Sequence, residues 1–422
     1  ARTLEMNPSQ TPAADRVYSI LTQVSLPGLS MTIKDERELV AVAFSPDGKL
    51  LATGSRDDML RVYNIDQGTS VAKFKFDRRV ASVVFSADGR YLAAGSHDTN
   101  AAIFDLETKK QIGPPLEHAG EVNVVALNRD ASLLATGASD GMVRVWEIPS
   151  GILRYAFQHK DGQDVLDVQF SPRGNVILSA SEDGTARLWD GDSGTQLHMF
   201  EHNASVRAAR FNRQGTLLVT ASEDGTARVW DVESGRPESE PLRHDRAVRA
   251  VAFSPDSAFV LTGAEDDGAR LWEVRTGAQV HRWGHREQVN DVAFSPDGKL
   301  AVTASDDKTA RIWEVASGRE ISGSPLIHSK EISKVEFSSD GRWLATMADD
   351  HVRIWYFEDQ RQFPAVMGAR RVQCGALSPD GAWVATGTVD GQVAVWDSTT
   401  GQPLWPIPGR RHDGAVVHVT IN

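Results

Sequence analysis

The stretch Ser181-Glu182-Asp183-Gly184-Thr185-Ala186-Arg187-Leu188-Trp189-Asp190 belongs to a pattern that recurs along most of this chain of 422 residues. An aromatic residue ends a short β-like run nine times, at intervals of 41 to 43 residues, and an aspartate stands six positions before each one. A fixed period of this length indicates a tandem array of structural repeats. The aromatic residues are Tyr63, Phe104, Trp146, Trp189, Trp230, Trp272, Trp313, Trp355 and Trp396, and the aspartates are Asp57, Asp98, Asp140, Asp183, Asp224, Asp266, Asp307, Asp349 and Asp390.

Each repeat contains four short strand-like runs. In one repeat they lie at residues 248–253, 260–264, 269–274 and 279–283, and turn-forming stretches such as Ser254-Pro255-Asp256 separate them. Turn signals at this spacing predict antiparallel hairpins. A four-stranded sheet cannot bury both of its faces alone, so the sequence predicts that neighbouring repeats cover each other.

With His159 upstream, the quoted stretch and its copies resemble the WD-repeat family, whose repeats form the blades of β-propellers. The resemblance covers residues 39–407. It implies an all-β fold of four-stranded antiparallel blades, with nine full repeats and a split partial one. The first two repeats depart from the family pattern: Tyr63 and Phe104 replace Trp, and Lys34, Arg78 and Arg79 occupy the region where a His is expected.

A linker is predicted before the repeats, at residues 1–28. Val17, Ile20, Leu21 and Val24 follow helical spacing behind a proline at the first helical position, which predicts a short helix at residues 11–24. The WD-repeat region is predicted to span residues 29–422.

The ends of the array leave two ring arrangements open. Residues 29–33 resemble a fourth strand without its own repeat, and residues 415–421 resemble a first strand that no repeat follows. Propellers usually have four to eight blades, so the array forms either one unusually large ring or one seven-bladed ring plus part of a second. We expect residues 29–33 to complete a blade whose other strands come from far along the chain, because an unpaired edge favours aggregation.

Composition argues against several classes of protein. The chain has 45 Lys and Arg against 57 Asp and Glu, a net charge of −12, whereas nucleic-acid binding needs a basic surface. The single cysteine, Cys374, allows no intrachain disulfide and no cysteine zinc site. No run approaches the roughly 18 apolar residues of a membrane span. We therefore predict a cytoplasmic protein without nucleic-acid or membrane partners.

The histidines are predicted to be structural, and no metal or cofactor is expected. Six of the 12 recur at one position in successive repeats, which places them on different blades, too far apart to share one ion. The family resemblance implies that each joins a buried hydrogen-bonded set with a serine, the turn aspartate and the tryptophan. Repeats with Ala138 or Ala264 in the serine position are expected to have weaker sets. The complete sets are His159/Ser181/Asp183/Trp189, His202/Ser222/Asp224/Trp230 and His285/Ser305/Asp307/Trp313.

An acidic arc is predicted on one rim of the propeller as a candidate partner-binding site, together with Arg207 and Arg249. The residue before the turn aspartate is acidic in four consecutive repeats, and Arg207, Arg249 and Asn290 in the first strands are expected nearby, where they partly neutralise the arc. An ordinary charged rim that keeps the protein soluble is the alternative interpretation. The acidic arc consists of Glu182, Glu223, Glu265 and Asp306.

These observations favour a non-enzymatic scaffold or sensor that binds protein partners, as part of a larger signalling protein. The junction near residue 28 also resembles bacterial multidomain signalling ATPases, in which a helical region precedes a propeller sensor. One alternative is a purely architectural spacer. The other is an enzyme that uses the central channel, with catalytic candidates Asp167, Asp291, Arg207, Arg249 and Lys334.

Overall fold

The described part of the protein is almost entirely β-sheet. The computed structural model describes residues 28–34, 37–321, 324–348, 351–357, 372–377, 383–388, 393–397 and 403–406. Within these ranges there is one short 3-10 turn, Lys160–Gly162. No helix in the described ranges is long and apolar enough to cross a membrane. The helix expected at residues 11–24 and the strand expected at residues 415–421 lie outside the described residues.

Eight four-stranded antiparallel sheets form successive blades. The first four are β2–β5 (Leu39–Phe44, Leu50–Ser55, Met59–Asn64, Thr69–Lys75), β6–β9 (Val80–Phe85, Tyr91–Ser96, Asn100–Asp105, Lys110–Glu117), β10–β13 (Val122–Leu127, Leu133–Ala138, Met142–Glu147, Ile152–Gln158) and β14–β17 (Val165–Phe170, Val176–Ser181, Thr185–Asp190, Gln196–Glu201). The next three are β18–β21 (Val206–Phe211, Leu217–Ser222, Thr226–Asp231, Leu242–Arg243), β22–β25 (Val248–Phe253, Phe259–Ala264, Gly268–Glu273, Gln279–Gly284) and β26–β29 (Val289–Phe294, Leu300–Ser305, Thr309–Glu314, Leu326–Ile327). The eighth blade consists of β30 (Ile332–Phe337), β31 (Trp343–Ala348), β32 (His351–Tyr356) and β1 (Gly28–Lys34), in that order across the sheet.

The turn between the first and second strands is held by its own polar side chains. In the first blade, Ser45 Oγ donates to Asp47 Oδ1 at 2.6 Å and accepts the N–H of Leu50 at 2.9 Å. Gly48 has a φ of +68°, a left-handed conformation that glycine adopts without steric cost. The Ser-Pro-Asp-Gly stretches therefore produce tight hairpins and fix where each strand begins and ends.

The eight blades form a closed ring. Each first strand contacts the first strand of the next blade, from β2 through β6, β10, β14, β18, β22 and β26 to β30, and β30 contacts β2. β1 is the outer strand of the eighth blade, which confirms that residues 29–33 complete a blade made far along the chain. A buried apolar cluster that includes Ile33, Leu39, Phe44, Met347 and Ile354 spans this seam between the eighth and first blades.

The blade count differs from both arrangements that the sequence left open. The ring has eight blades, one more than a seven-bladed ring and fewer than a single ring of all repeats. The reason is that β1 pairs with β32, so the repeat at residues 332–356 becomes the closing blade, and its first strand already contacts β2. The ring lies in one compact unit, residues 31–320 and 324–354. A ninth four-stranded sheet belongs to a second unit, residues 1–30, 321–323 and 355–422, and comprises β33–β36 (Val372–Leu377, Trp383–Thr388, Val393–Asp397, Pro403–Pro406).

Side chains at the fifth position of the first strands tie some neighbouring blades together. Gln169 Oε1 accepts the N–H of Phe211 at 2.8 Å, which joins the fourth blade to the fifth. At the seam, Glu336 Oε1 accepts the N–H of Phe44 at 3.1 Å, which joins the eighth blade to the first. The two bonds have the same geometry, but only the one at the seam involves an ionisable group.

Glu336 makes the seam sensitive to pH. Burial raises the pKa of its carboxyl group from 4.5 to about 7, although the N–H of Phe44 and the charge of Lys334 oppose the shift; Asp291 adds to it. The folded pKa lies above the unfolded value. The contribution of this group to stability is therefore complete below pH 4.5 and is lost as the pH rises through about 7.

We expect Glu336→Gln to remove this loss, because Gln169 shows that an amide oxygen accepts the same bond. The variant should match the wild type near pH 4.5 and exceed its free energy of unfolding by about 1–2 kcal/mol at about pH 8. Urea unfolding at a series of pH values measures the difference. Gln169→Glu is the reverse substitution and serves as the control. It should introduce a similar pH-dependent loss of stability at the fourth blade. Parallel pH profiles for wild type and Glu336→Gln would contradict the assignment.

Candidate functional site

A buried set of four side chains joins the third and fourth blades. His159 follows β13, and its Nε2 lies 2.7 Å from Ser179 Oγ of β15. Its Nδ1 lies 3.0 Å from Oδ2 of Asp183, in the turn before β16. The indole N–H of Trp189 donates to Ser179 Oγ at 2.9 Å. Because His159 belongs to one blade and its partners to the next, the set fixes the orientation of the rim turn across a blade boundary.

The same arrangement recurs at later boundaries with threonine as the hydroxyl. In each case the imidazole Nε2 lies 2.7 Å from the threonine Oγ1, and the imidazole Nδ1 lies within hydrogen-bond distance of the turn aspartate. These sets are His202/Thr220/Asp224/Trp230, His244/Thr262/Asp266/Trp272 and His285/Thr303/Asp307/Trp313.

The structure corrects the hydroxyl member of the predicted sets. Ser181, Ser222 and Ser305 stand two residues beyond the hydroxyls that contact His and Trp. They act within the turn instead: Ser181 Oγ accepts the N–H of Asp183 at 3.1 Å and donates to the carbonyl of Gln163 at 3.3 Å. Residues two apart in a strand share a face, so both positions carry polar side chains on the same side.

The reason for expecting weaker sets at Ala138 and Ala264, a missing hydroxyl, was therefore wrong. The hydroxyls in those blades come from Thr136 and Thr262, two residues earlier. The third blade does differ in its histidine, because His118 Nδ1 lies 2.8 Å from the carbonyl of Leu116.

The eighth blade replaces the acidic partner with a second histidine in the described contacts. His328 Nδ1 lies 2.9 Å from His351 Nε2, and both rings are buried. Burial lowers the pKa of His328 to about 3, and the charges of Arg353 and His351 act in the same direction. His328 is therefore neutral at physiological pH.

The aspartates in the other sets are ionised. Burial by itself would raise the pKa of Asp224, but hydrogen bonds from Thr226, from the N–H of Asn203 and from His202 hold it at about 2. Burial lowers the pKa of His202. Neutral His202 then donates Nδ1–H to the carboxylate of Asp224 and accepts the hydroxyl proton of Thr220 at Nε2. The sets are satisfied hydrogen-bond chains.

Little capacity for other chemistry remains in these sets. Asp183 also accepts the N–H of Lys160 at 2.9 Å, the N–H of Thr185 at 2.8 Å and Nη2 of Arg187 at 3.0 Å. Across the described ranges, no group of three or more His, Cys, Asp or Glu side chains could hold a metal ion. The geometry gives the recurring histidines a structural role.

The acidic arc lies where the sets hold the rim turns. Each arc residue directly precedes a turn aspartate, and its backbone N–H donates to the loop that leads into the first strand of the same blade. Glu182 donates to the carbonyl of Asp164 at 3.0 Å, and Glu223 donates to that of Ser205 at 2.9 Å. Glu265 and Asp306 make the equivalent bonds to Ala247 and Gln288, at 2.9 and 3.1 Å.

Three of the four arc residues accept hydrogen bonds from the second residue of their own first strand. Nε of Arg207 donates to Oε1 of Glu223 at 2.7 Å, and Nη2 of the same arginine contacts that oxygen. Arg249 donates to Oε1 of Glu265 with Nε at 2.9 Å and Nη2 at 2.7 Å. Asp306 accepts from the side-chain amides of Asn290 and Gln288, which leave its charge in place.

Glu182 is different. The second residue of its first strand is Leu166, a half-buried apolar side chain. Among the described residues the Glu182 carboxylate has no hydrogen-bond or ion-pair partner, and the side chain is exposed. The negative charge of the arc is therefore concentrated at Glu182 and Asp306, while Glu223 and Glu265 are neutralised.

The rim changes character in the first two blades. Arg56 and His97 occupy the positions equivalent to the arc residues. Arg56 pairs with Glu38 at 3.0 Å, whereas His97 contacts Glu121 and lies 3.0 Å from Nη2 of Arg79. Within the part of the chain that the structure describes, acids at this position therefore occur in the fourth to seventh blades.

The residues considered for a catalytic channel are held in separate structural contacts or exposed. Asp167 and Asp291 each accept a backbone N–H of the next blade, at 3.0 and 3.1 Å. Arg207 and Arg249 are bound to arc carboxylates, and Lys334 is exposed on β30. Sequence reasoning missed Glu336 and Leu166; for Leu166 the available signal was the arginine at the same position in the next two repeats, Arg207 and Arg249.

Comparison with known families gives a match along most of the chain. The family described as "WD domain, G-beta repeat" matches nine segments, residues 30–64, 68–105, 110–147, 151–190, 194–231, 237–273, 277–314, 323–356 and 365–397.

Individual relatives are more distant. The chain is 28% identical over 123 residues to the WD40 repeat-containing protein HOS15 of Arabidopsis thaliana, which covers 29% of this chain and 16% of that protein. It is 32% identical over 74 residues to eukaryotic translation initiation factor 3 subunit I of Phaeosphaeria nodorum, which covers 18% of this chain and 22% of that protein. The match thus spans less than a quarter of either relative.

A solved structure supports the fold alone. The crystal structure of the computationally designed Ika8 protein is similar with a TM-score of 0.65 and 24% sequence identity. The similarity covers 77% of this chain and 98% of the designed one.

Proposed function

The chain belongs to the WD-repeat family, and from this we propose that it is a non-enzymatic platform that binds protein partners through the acidic arc. WD-repeat propellers typically bind proteins, and one relative is named as a subunit of a larger factor. We extend the proposal to a cytoplasmic sensor or scaffold within a larger signalling protein, without nucleic-acid or membrane partners. The net charge of −12 supports the exclusion of nucleic acid.

The observation that carries the proposal is the repetition of one carboxylate position in four consecutive blades. Backbone hydrogen bonds hold these turns, and the buried His–Asp contacts lie one residue away. A rigid turn presents its side chain without a large entropic cost on binding. Neighbouring blades bring equivalent positions close together, so the fields of their charges add.

The arc is suited to a partner segment that carries Lys or Arg. Asp306 and Glu182 supply net negative charge, and the arginine-bound Glu223 and Glu265 lie between them in chain order. Charges on a rim govern the association rate more strongly than the packing of the complex. We therefore expect recognition to be fast and sensitive to salt.

The enzymatic alternative has less support. Asp167 and Asp291 are engaged in hydrogen bonds between blades, Arg207 and Arg249 are bound to arc carboxylates, and Lys334 is exposed on β30. The spacer alternative predicts that the chain binds no partner. Capture of a partner by the full chain would therefore favour the binding platform over the spacer.

Charge reversal of the arc tests the proposal. The variant with all four residues changed to Lys should slow association with a captured partner by at least about tenfold at low salt. At 0.15 M salt the difference should shrink, because screening then acts over about 8 Å. Surface plasmon resonance over a range of salt concentrations measures the rate, and a circular-dichroism melt checks the fold.

A charge-matched control separates the arc from net charge. Asp66, Glu107, Asp192 and Glu233 are exposed and follow third strands, at the opposite end of the blades from the arc. Changing these four to Lys alters net charge equally and should leave association within about twofold of wild type. Equal slowing by both quadruple variants, or none by the arc variant, would remove the arc as the binding surface.

A further inference from the structure

Two ion pairs in neighbouring blades indicate which group Glu182 binds. In the fifth and sixth blades an arginine stands 16 residues before the arc carboxylate and reaches it: Arg207 to Glu223 and Arg249 to Glu265. In the fourth blade the residue 16 positions before Glu182 is Leu166.

The backbone around these positions is equivalent in the two blades. In the fifth blade, Val206 pairs with Ser222, and a register shift follows before the next pair. In the fourth blade, Val165 pairs with Ser181, and the same shift follows. Glu182 therefore stands relative to its first strand as Glu223 stands relative to Arg207. The two blades differ in the guanidinium group, which Arg207 provides in the fifth blade and Leu166 does not provide in the fourth.

We propose that Glu182 binds an arginine side chain of the protein partner, in the orientation that Arg207 and Arg249 take toward their own carboxylates. This inference rests on the proposed function and names the group that the partner presents. The half-buried Leu166 offers an apolar surface for the methylene stem of that arginine, and the exposed carboxylate receives its head.

Arginine fits this position better than lysine. In both internal pairs, Nε and Nη2 of one guanidinium converge on a single carboxylate oxygen. A lysine ammonium has no second nitrogen and cannot reproduce this planar contact. The partner is thus expected to discriminate between the two residues at this contact.

The test uses the full chain and a blocked Gly-Ala-Arg-Ala-Gly peptide as the probe, with Leu166 methyl signals in NMR as the reporter. One exposed ion pair gives weak binding, of the order of millimolar, so the titration extends into that range. The arginine peptide should shift the Leu166 methyl signals in a saturable way. The same peptide with citrulline should not, and the lysine peptide should bind several-fold more weakly.

Four variants locate the contact. Glu182→Gln should weaken binding of the arginine peptide at least about tenfold. Leu166→Arg should do the same, because it supplies the guanidinium internally. Ala81→Arg places the same charge at the equivalent position of the second blade, where His97 replaces the arc acid, and should leave binding unchanged. Arg207→Leu should create a second site at Glu223 and raise the stoichiometry from one to two.

The outcomes distinguish this inference from the proposed function. Suppose that the quadruple arc variant loses the partner but Leu166→Arg binds both peptide and partner like the wild type. The proposed arginine contact at Glu182 is then wrong, and the arc remains the binding surface. If Leu166→Arg and Ala81→Arg weaken binding equally, net charge explains the effect and the contact is also wrong. If the partner binds the quadruple variant normally, the proposed function fails.

Discussion

Asp183→Ala is expected to lower the free energy of unfolding by about 2–4 kcal/mol. The carboxylate accepts Nδ1–H of His159, the backbone N–H groups of Lys160 and Thr185, and Nη2 of Arg187. Its removal leaves a histidine that is 1% exposed without its acceptor and loosens the turn that carries Glu182. Because His159 belongs to the preceding blade, the loss acts on the packing between two blades.

Asp98→Ala is the matched control. Asp98 stands at the same turn position, where its carboxylate accepts the N–H of Asp77 and of Asn100, both at 2.9 Å. Phe76 precedes this loop in place of the histidine, so no buried imidazole loses a partner. Urea unfolding of both variants should show a smaller shift for Asp98→Ala, and equal shifts would contradict the importance of the four-residue sets.

Deletion of residues 1–35 is expected to lower the free energy of unfolding by about 4–8 kcal/mol relative to deletion of residues 1–27. The longer deletion removes β1, and with it Ile33, which is 5% exposed within the apolar cluster of the seam. The outer edge of β32 would then lack its partner strand. The control deletion stops just before Gly28 and leaves the strand in place.

Thermal melts and amide hydrogen exchange measure how far this effect spreads. In a closed ring, loss of the seam should reduce protection in blades far from it as well as in the eighth and first. A melt of the 1–35 deletion that superimposed on the control, or protection lost only at the eighth blade, would show that closure through β1 does not stabilise the whole ring.

The repeat period made the strands, their turns and the aspartate of each rim turn predictable, because these depend on local spacing. The hydroxyl partner of His159 was not predictable from the same pattern. Ser179 and Ser181 lie on one face of β15, and only the register, which pairs Ser179 with Arg187 and Ser181 with Val165, decides which of them reaches Trp189. Register depends on contacts between strands that a single-strand pattern does not contain.

The number of blades in the ring was unpredictable for a related reason. It depends on the angle at which neighbouring sheets pack, and this angle follows from buried side chains on two blades at once. The pairing of β1 with β32 was within reach of sequence reasoning, since a fourth strand without a repeat needs a partner. Which repeat supplies the partner depends on that angle.

Among the arc residues, the acids and the nearby arginines were predictable from the sequence. Which of the acids is paired with an arginine was not. Glu182 and Glu223 are the same residue type in the same turn. The difference between them comes from Leu166 and Arg207, whose equivalence becomes visible only when the first strands are aligned in space.

The origin of the eighth blade also bears on how the protein is made. β1 ends at residue 34, whereas β32 begins at residue 351. At about 5–20 residues per second, the ribosome completes β32 roughly 15–60 s after β1. During that interval β1 has no native partner, although the first seven blades can already stack on one another. A ribosome that stalls anywhere before residue 351 therefore carries an open array with two incomplete ends, and its exposed strand edges are candidates for capture by chaperones.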